Sequence, residues 1–291
     1  MFKIGIDLGG TKIETIILDS EGKEIYRNRV LTLQERGYKA IVTTLAECYS
    51  NAVTFIMGKE HTFGIGTPGS ISHKTGLMKN SNTLCLNEKP VLKDLERMIN
   101  RPVAIENDAN CFAMAEASVG AGKGYANVFG VIMGRGCGGG SVFNNTLLKG
   151  WQSLGGEWGH MTIDSNGPLC YCGKRGCVET YISGTGISNR YFDLTGKRLP
   201  TKHILDAETA EAVTVKSMFF EQFGRALSNI ISILDPDIIV IGGGLSNYPL
   251  LYSLGVEQVN NYIFGHELDT PIVQHKTGDS AGVIGAAWIG I

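Results

Sequence analysis

A chain of 291 residues with 43% hydrophobic content is long enough for two domains with real cores. Its formal net charge of −2, with no Lys/Arg tract, argues against nucleic acid as the main partner. No apolar run approaches the length of a membrane span, and Met1-Phe2-Lys3 leads directly into an apolar strand rather than a signal peptide, so a cytoplasmic protein is expected.

The first predicted element is the strand Ile4-Gly5-Ile6, which ends in Asp7 and turns on Gly9 and Gly10 before Thr11 and Lys12. Glycines let a backbone approach a ligand closely, and successive N–H groups form an anion-binding concavity, so this turn suits a phosphate and its metal. The same residues also suit an ordinary hairpin. Asp19-Ser20-Glu21-Gly22-Lys23 reads as a second hairpin turn, followed by a helix from about Tyr38 to Met57 with Ile41, Leu45 and Val53 on its apolar face. The strand Phe63-Gly64-Ile65-Gly66 leads to a Pro68-Gly69 turn. A charged helix, Leu92 to Ile99, precedes the strand Pro102 to Ile105.

Glu106-Asn107-Asp108-Ala109-Asn110 then falls between that strand and a helix, Ala109 to Val119. Such a junction lies at the mouth of an α/β sheet, where ligands bind. A helix cap needs one of these polar residues, not all of them. The apolar run Val128 to Met133 enters Gly134-Arg135-Gly136-Cys137-Gly138-Gly139-Gly140, a hairpin turn that also offers a second phosphate loop. Farther on, a long helix from about Ala212 to Leu234 precedes Asp235-Pro236-Asp237-Ile238-Ile239-Val240-Ile241, a buried strand running into the turn Gly242-Gly243-Gly244. No G-x-x-x-x-G-K-[ST] run occurs, which excludes a P-loop.

Between these lies a metal signature. Gly156-Glu157-Trp158-Gly159-His160 is followed by Cys170, Cys172 and Cys177, spaced C-x-C-x4-C among glycines. His160 with the three cysteines makes a Cys3His set for tetrahedral zinc, and four protein ligands leave no open position, so the ion is structural. Cys48, Cys85, Cys111 and Cys137 have no evident pairing scheme and read as reduced thiols.

In order and spacing, these stretches together resemble the ROK family of repressors and sugar kinases, over almost the whole chain. The resemblance implies an α/β, two-lobed, actin-like and hexokinase-like ATPase fold with ribonuclease H-like lobes and a zinc-binding loop. It divides the chain into an N-terminal lobe, 1–111, a C-terminal lobe with the zinc loop, 112–277, and a closing helix, 278–291, that returns to the first lobe. Gly66-Thr67-Pro68-Gly69-Ser70-Ile71-Ser72, Cys170 to Thr185, and Phe264-Gly265 with Gly278 to Trp288 look most like the fructokinase/mannokinase branch.

The implied activity is ATP-dependent phosphorylation of a hexose at its 6-hydroxyl, with fructose the expected substrate and mannose a second. N-acetylglucosamine or glucose kinase is the alternative on the same scaffold, and a catalytically silent sugar sensor the alternative of another class. By resemblance Asp108 is the general base, which a poorly nucleophilic hydroxyl needs. Asn107, Glu157, His160, Glu179, Gly66, Pro68 and Asn82 contact the sugar. Asp7 orients Mg²⁺ or its waters, Gly9, Gly10, Thr11 and Lys12 cradle phosphates, and Gly134, Arg135, Gly136 with Gly242, Gly243 and Gly244 hold the rest of ATP. A homodimer is the family expectation, with no nucleic-acid or membrane partner. A repressor of this family carries a DNA-binding module before the first phosphate loop, for which there is no room ahead of Asp7. Arg135 departs from the pattern: the family usually has Thr there. A guanidinium at that point binds the triphosphate, points into solvent or obstructs the loop.

Overall fold

The computed structural model describes residues 1–291. In chain order the elements are β1 (Phe2–Leu8), β2 (Lys12–Leu18), β3 (Glu24–Leu31), α1 (Gly37–Phe55), β4 (His61–Thr67), β5 (Ser70–Ile71), β6 (Met78–Lys79), α2 (Val91–Ile99), β7 (Ala104–Asn107) and α3 (Asp108–Val119). They continue as β8 (Asn127–Met133), β9 (Cys137–Phe143), β10 (Thr146–Leu147), α4 (Glu179–Ile182), α5 (Gly184–Thr195), α6 (Thr201–Asp206), α7 (Ala210–Leu234), β11 (Ile238–Gly242), α8 (Leu254–Tyr262), β12 (Ile272–Gln274) and α9 (Ala281–Ile289).

Two compact units result: Met1–Gly124 with Gly140–Gly155 and Thr277–Ile291, and Tyr125–Gly139 with Gly156–Lys276. The division differs from the expected cut at residue 111, which would sever α3. That helix is continuous, and Ala113, Ala115 and Ala117 are all buried within it.

The first sheet has the order β3-β2-β1-β4-β7, with β1–β2 and β2–β3 antiparallel and β1–β4 and β4–β7 parallel. The second has the order β10-β9-β8-β11-β12, with β8, β11 and β12 parallel. One plan is used twice. In each sheet the first strand lies in the middle, the second and third to one side, and the fourth and fifth to the other.

Alternation along β1 sets its register. Ile4, Ile6 and Leu8 are fully buried in one cluster with Ile41, Leu45 and Ala52 of α1. A one-residue slip would turn Lys3 and Asp7 onto that face instead. The opposite face of the sheet accepts α9 at very close range. A Cβ at Gly5 would lie 2.4 Å from the Val283 carbonyl oxygen, and one at Gly64 would lie 2.2 Å from that of Ala286. Glu116, fully buried on α3, anchors the segment before α9 by accepting from the Thr277 N–H at 2.8 Å. In the second unit Phe219, Phe223 and Leu227 of α7 pack with Phe129 and Val131 of β8 and Ile239 and Ile241 of β11. Thr209 caps α7 at its start, and Asp235, at φ 43°, ends it in the left-handed region. No helix is long and apolar enough to cross a membrane.

Candidate active site

In the first unit, Asp7 is in register with Gly66, Gly66 with Glu106, and Thr67 with Asn107. These residues therefore share the carboxyl ends of three adjacent parallel strands, the edge at which α/β sheets bind ligands. A cavity of about 280 Å³ opens there, and Asp7, Gly9, Gly10, Pro68, Asn82 and Asp108 all line it. Gln34, Thr67 and Thr83 complete most of its wall; Gln34 and Thr83 were not singled out from sequence as ligands. Gly66 lies behind the cavity. A Cβ at Gly66 or Gly282 would come within 3.1–3.2 Å of the Asp7 carboxylate, so glycine at both positions makes room for that group.

The charges around this cavity are strained toward protonation. Burial, then the charges of Asp108 and Glu14, push the Asp7 carboxyl up to about 6, with Lys12 acting in the opposite direction. Asp7 and Glu14 face each other directly across the β1–β2 ladder. Asp108 is the first residue of α3. Its side chain is reachable by water yet set in a wall of the cavity, and the protein around it raises its carboxyl, against the opposing N–H of Ala109 at 2.9 Å. A raised carboxylate is a stronger base, which suits proton abstraction.

The neighbours of Asp108 have structural partners. Asn107 is the cap of α3, its Oδ1 accepting from the Asn110 N–H at 2.7 Å. Glu106 accepts from Asn110 Nδ2 at 2.9 Å and pairs with Lys149 at 2.7 Å. The Gly9–Thr11 turn is closed by the Gly9 N–H donating to the Lys12 carbonyl at 3.0 Å, while Thr32 donates to the carbonyls of Gly9 and Thr11. Nothing stands over Gly10 within 4 Å of where a Cβ would be. Lys12 is exposed and leans toward Glu14, 3.6 Å away.

The second unit has a turn of the same length at the equivalent place, between β8 and β9. The Gly134 N–H donates to the Gly136 carbonyl at 2.9 Å, and the start of α5 fastens the turn from outside. Gly184 donates to the Gly134 carbonyl at 2.8 Å and Thr185 to that of Arg135 at 3.2 Å. Beside it is a cavity of about 850 Å³, lined by Gly134, Arg135, Thr185, Arg198, Lys202, Gly244 and Tyr248 among others. That volume is in the range of a drug-sized or cofactor-sized ligand. Gly242 ends β11, and Gly243, at φ 79°, passes so close to β8 that a Cβ would be 2.5 Å from the Met133 carbonyl oxygen. These two glycines shape the exit from the strand, and Gly244 reaches the cavity. Sequence reasoning missed Thr185, Arg198 and Lys202. A signal for the first existed, because Ser183-Gly184-Thr185-Gly186 is a capped helix start, with Ser183 Oγ accepting from the Gly186 N–H at 2.9 Å.

The cysteine loop assembles as its spacing suggests. One donor atom each from His160, Cys170, Cys172 and Cys177 lie within 4.8 Å of one another. His160 Nδ1 is 3.6 Å from Cys170 Sγ, and Cys172 Sγ is 3.6 Å from Cys177 Sγ. A disulfide would need about 2.05 Å. A tetrahedron with zinc–sulfur bonds of about 2.3 Å has edges of about 3.8 Å, so the donor set fits that ion. His160 Nε2 is 2.9 Å from the Tyr171 hydroxyl, a partner not foreseen. Glu179 Oε2 accepts from the Cys137 N–H at 2.9 Å, and Trp158 Nε1 donates to the Gly138 carbonyl at 3.0 Å. The loop thus braces the glycine-rich start of β9.

Comparison with known proteins places this architecture. The sequence model of the ROK family matches residues 3–291. An N-acetyl-D-glucosamine kinase of Haemophilus influenzae (strain 86-028NP) is 36% identical over 297 residues, covering 97% of each chain. The crystal structure of a ROK hexokinase from Thermus thermophilus superposes with a TM-score of 0.91 at 29% identity, covering 100% of this chain and 98% of that one. A ROK family glucokinase from Streptomyces griseus, in complex with glucose and AMPPNP, gives 0.76 at 27% identity, covering 100% and 99%. The expected fructokinase/mannokinase branch finds no support here, because the 36% relative acts on an acetamido sugar. With its duplicated sheets and near-complete match, the chain belongs to the ROK family and is a sugar kinase of the two-lobed, hexokinase-like α/β fold.

Proposed function

We propose that the protein transfers the γ-phosphoryl group of Mg-ATP to the 6-hydroxyl of an N-acetylhexosamine, with N-acetyl-D-glucosamine the principal substrate. The observation that carries the sugar assignment is the 36% identity, over 97% of both chains, with the Haemophilus kinase. It replaces fructose as the expected substrate. Glucose is the second reading, favoured by the 27% identity to the Streptomyces glucokinase.

Asp108 accepts the proton of the 6-hydroxyl as that oxygen bonds to the γ-phosphorus and the bond from phosphorus to the ADP oxygen breaks. General-base catalysis of this kind contributes about 10²–10⁴ in rate. Asp7, on the same cavity wall, is suited to hold Mg²⁺ or its waters, which would supply neutralisation of the phosphate charge. Gly9, Gly10, Thr11 and Lys12 form the phosphate turn. Asn107, Gly66, Pro68 and Asn82 orient the sugar or shape its walls, and Glu157 and Glu179 remain assigned to its hydroxyls; His160, with Nδ1 toward Cys170 and Nε2 at the Tyr171 hydroxyl, has both ring nitrogens engaged and serves the metal set instead. Glu179 has one carboxylate oxygen committed to Cys137, which leaves the other for that task. The second turn, Gly134–Gly136, and Gly242–Gly244 serve the nucleotide. His160, Cys170, Cys172 and Cys177 would hold one structural zinc, tying together the loop that leads to Glu179.

Incubation with Mg-ATP and N-acetylglucosamine, followed by phosphorus NMR and mass spectrometry, should give the 6-phosphate and ADP in equal amounts. No sugar phosphate from any hexose would overturn the reading in favour of a silent sensor.

A further inference from the structure

We propose that Arg135 is a ligand for the phosphate chain of the phosphoryl donor, so that charge replaces the hydroxyl contact usual at this position in the family. The inference rests on the kinase reading above and concerns the part of it that the sequence left open.

Three observations carry it. Arg135 lies on the wall of the 850 Å³ cavity, together with Gly134 and Gly244, so its side chain does not close the space beside the turn. Its backbone is held from both sides: the Gly134 N–H reaches the Gly136 carbonyl, and the start of α5 donates to the carbonyls of Gly134 and Arg135. The guanidinium is therefore carried by a fixed turn, not by a loose loop.

Charge around the cavity is the third. Arg135, Arg198 and Lys202 line it against one carboxylate, Asp206. Asp206 is already paired with Lys202 at 2.6 Å. Arg198 donates to Asn189 at 3.3 Å and rests over the Phe192 ring at 4.5 Å. Arg135 is exposed and makes no ion pair or side-chain hydrogen bond. The cavity thus has an excess of positive charge, and the cation without a partner sits at the turn. A guanidinium offers a planar fork of donors that matches phosphate oxygens two at a time, which a Thr hydroxyl cannot do. The equivalent turn of the first sheet has Gly10 at its centre and its nearest cation, Lys12, beside Glu14. The two turns hold the same place in their sheets but are closed by different hydrogen bonds and are charged differently.

The test is calorimetric binding of ATP, ADP, AMP and adenosine to the full-length wild type, Arg135→Thr and Arg135→Lys, at low and moderate salt, with steady-state kinetics alongside. Arg135→Thr should weaken ATP about tenfold, equivalent to about 1.4 kcal/mol, weaken ADP less, and leave adenosine within about twofold. Arg135→Lys should recover part of the loss, and the salt dependence of ATP binding should be less steep in the Thr variant. The KM for sugar should not move. ATP binding that is unchanged or tighter in Arg135→Thr, on a wild type that phosphorylates sugar, overturns this inference alone. An equal loss for adenosine and ATP also overturns it, because it marks a structural effect. A wild type that binds no nucleotide overturns the inference and the kinase reading together.

Discussion

The Nε2 atom of His160 is 2.9 Å from the hydroxyl oxygen of Tyr171, and the two rings meet edge to face at 86°. With its proton on Nε2 and directed at that oxygen, the imidazole presents the Nδ1 lone pair to the cysteine cluster. Partners of this kind fix the tautomer and direction of metal-bound histidines, and their loss typically costs 10–100-fold in metal affinity. Tyr171→Phe should therefore weaken zinc by roughly that factor in chelator competition. Metal analysis of the wild type should find about one zinc per chain. Unchanged zinc affinity in the variant would make the tyrosine contact incidental.

Asp108→Asn keeps size and most hydrogen bonding but cannot take a proton. Its kcat should fall by about 10²–10⁴, while the KM for sugar changes little. A variant with near-normal kcat would remove Asp108 from the role of base.

Asp7 makes a stability prediction with a definite sign. Its carboxyl is pushed up to about 6 from an ordinary value of 3.8. The folded state then binds this proton more tightly than the unfolded chain does. The associated stability is fully present below about pH 4 and is lost as the pH rises through about 6. In chelator and without nucleotide, Asp7→Asn should be more stable than wild type at pH 8, by about 1–3 kcal/mol, with the difference fading toward pH 4. Denaturant melts across that range measure it. A variant no more stable at pH 8 would contradict the cost assigned to burying the Asp7 charge beside Asp108 and Glu14.

Thr83 Oγ1 is buried on the wall of the Asp108 cavity and has no hydrogen-bond partner. Thr83→Val removes an unsatisfied hydroxyl, so the ligand-free protein should keep its stability or gain about 1 kcal/mol. If the residue serves only packing, the sugar KM stays constant. A role toward substrate predicts a rise of about fivefold or more.

What was legible in the sequence was local. Asp7 with its glycine turn, the Glu106-Asn107-Asp108 junction and the cysteine spacing each place several chemically marked residues within one strand end or one loop, and the fold keeps them there. The duplication was not legible. The two sheets share a strand order, not a set of residues, and Leu8-Gly9-Gly10-Thr11 corresponds to Met133-Gly134-Arg135-Gly136 only in its place between the first two strands of each sheet. Arg198 and Lys202 lie far along the chain from Arg135 and join its cavity only through the packing of α5 and α6. Tyr171 occupies the variable position of C-x-C, where spacing assigns nothing. The proposed preference for an acetamido sugar has no motif of its own, because substrate choice rests on the shape of cavity walls and no motif encodes a volume.

Relative kcat/KM for N-acetylglucosamine, N-acetylgalactosamine, glucose, mannose and fructose, measured with Mg-ATP under one condition, tests the substrate assignment most directly. A site that fits the acetamido group leaves its polar partners unpaired when a sugar lacks that group, which discriminates strongly. N-acetylglucosamine should lead, by at least about tenfold over fructose. Fructose equal to it or ahead of it would contradict the assignment.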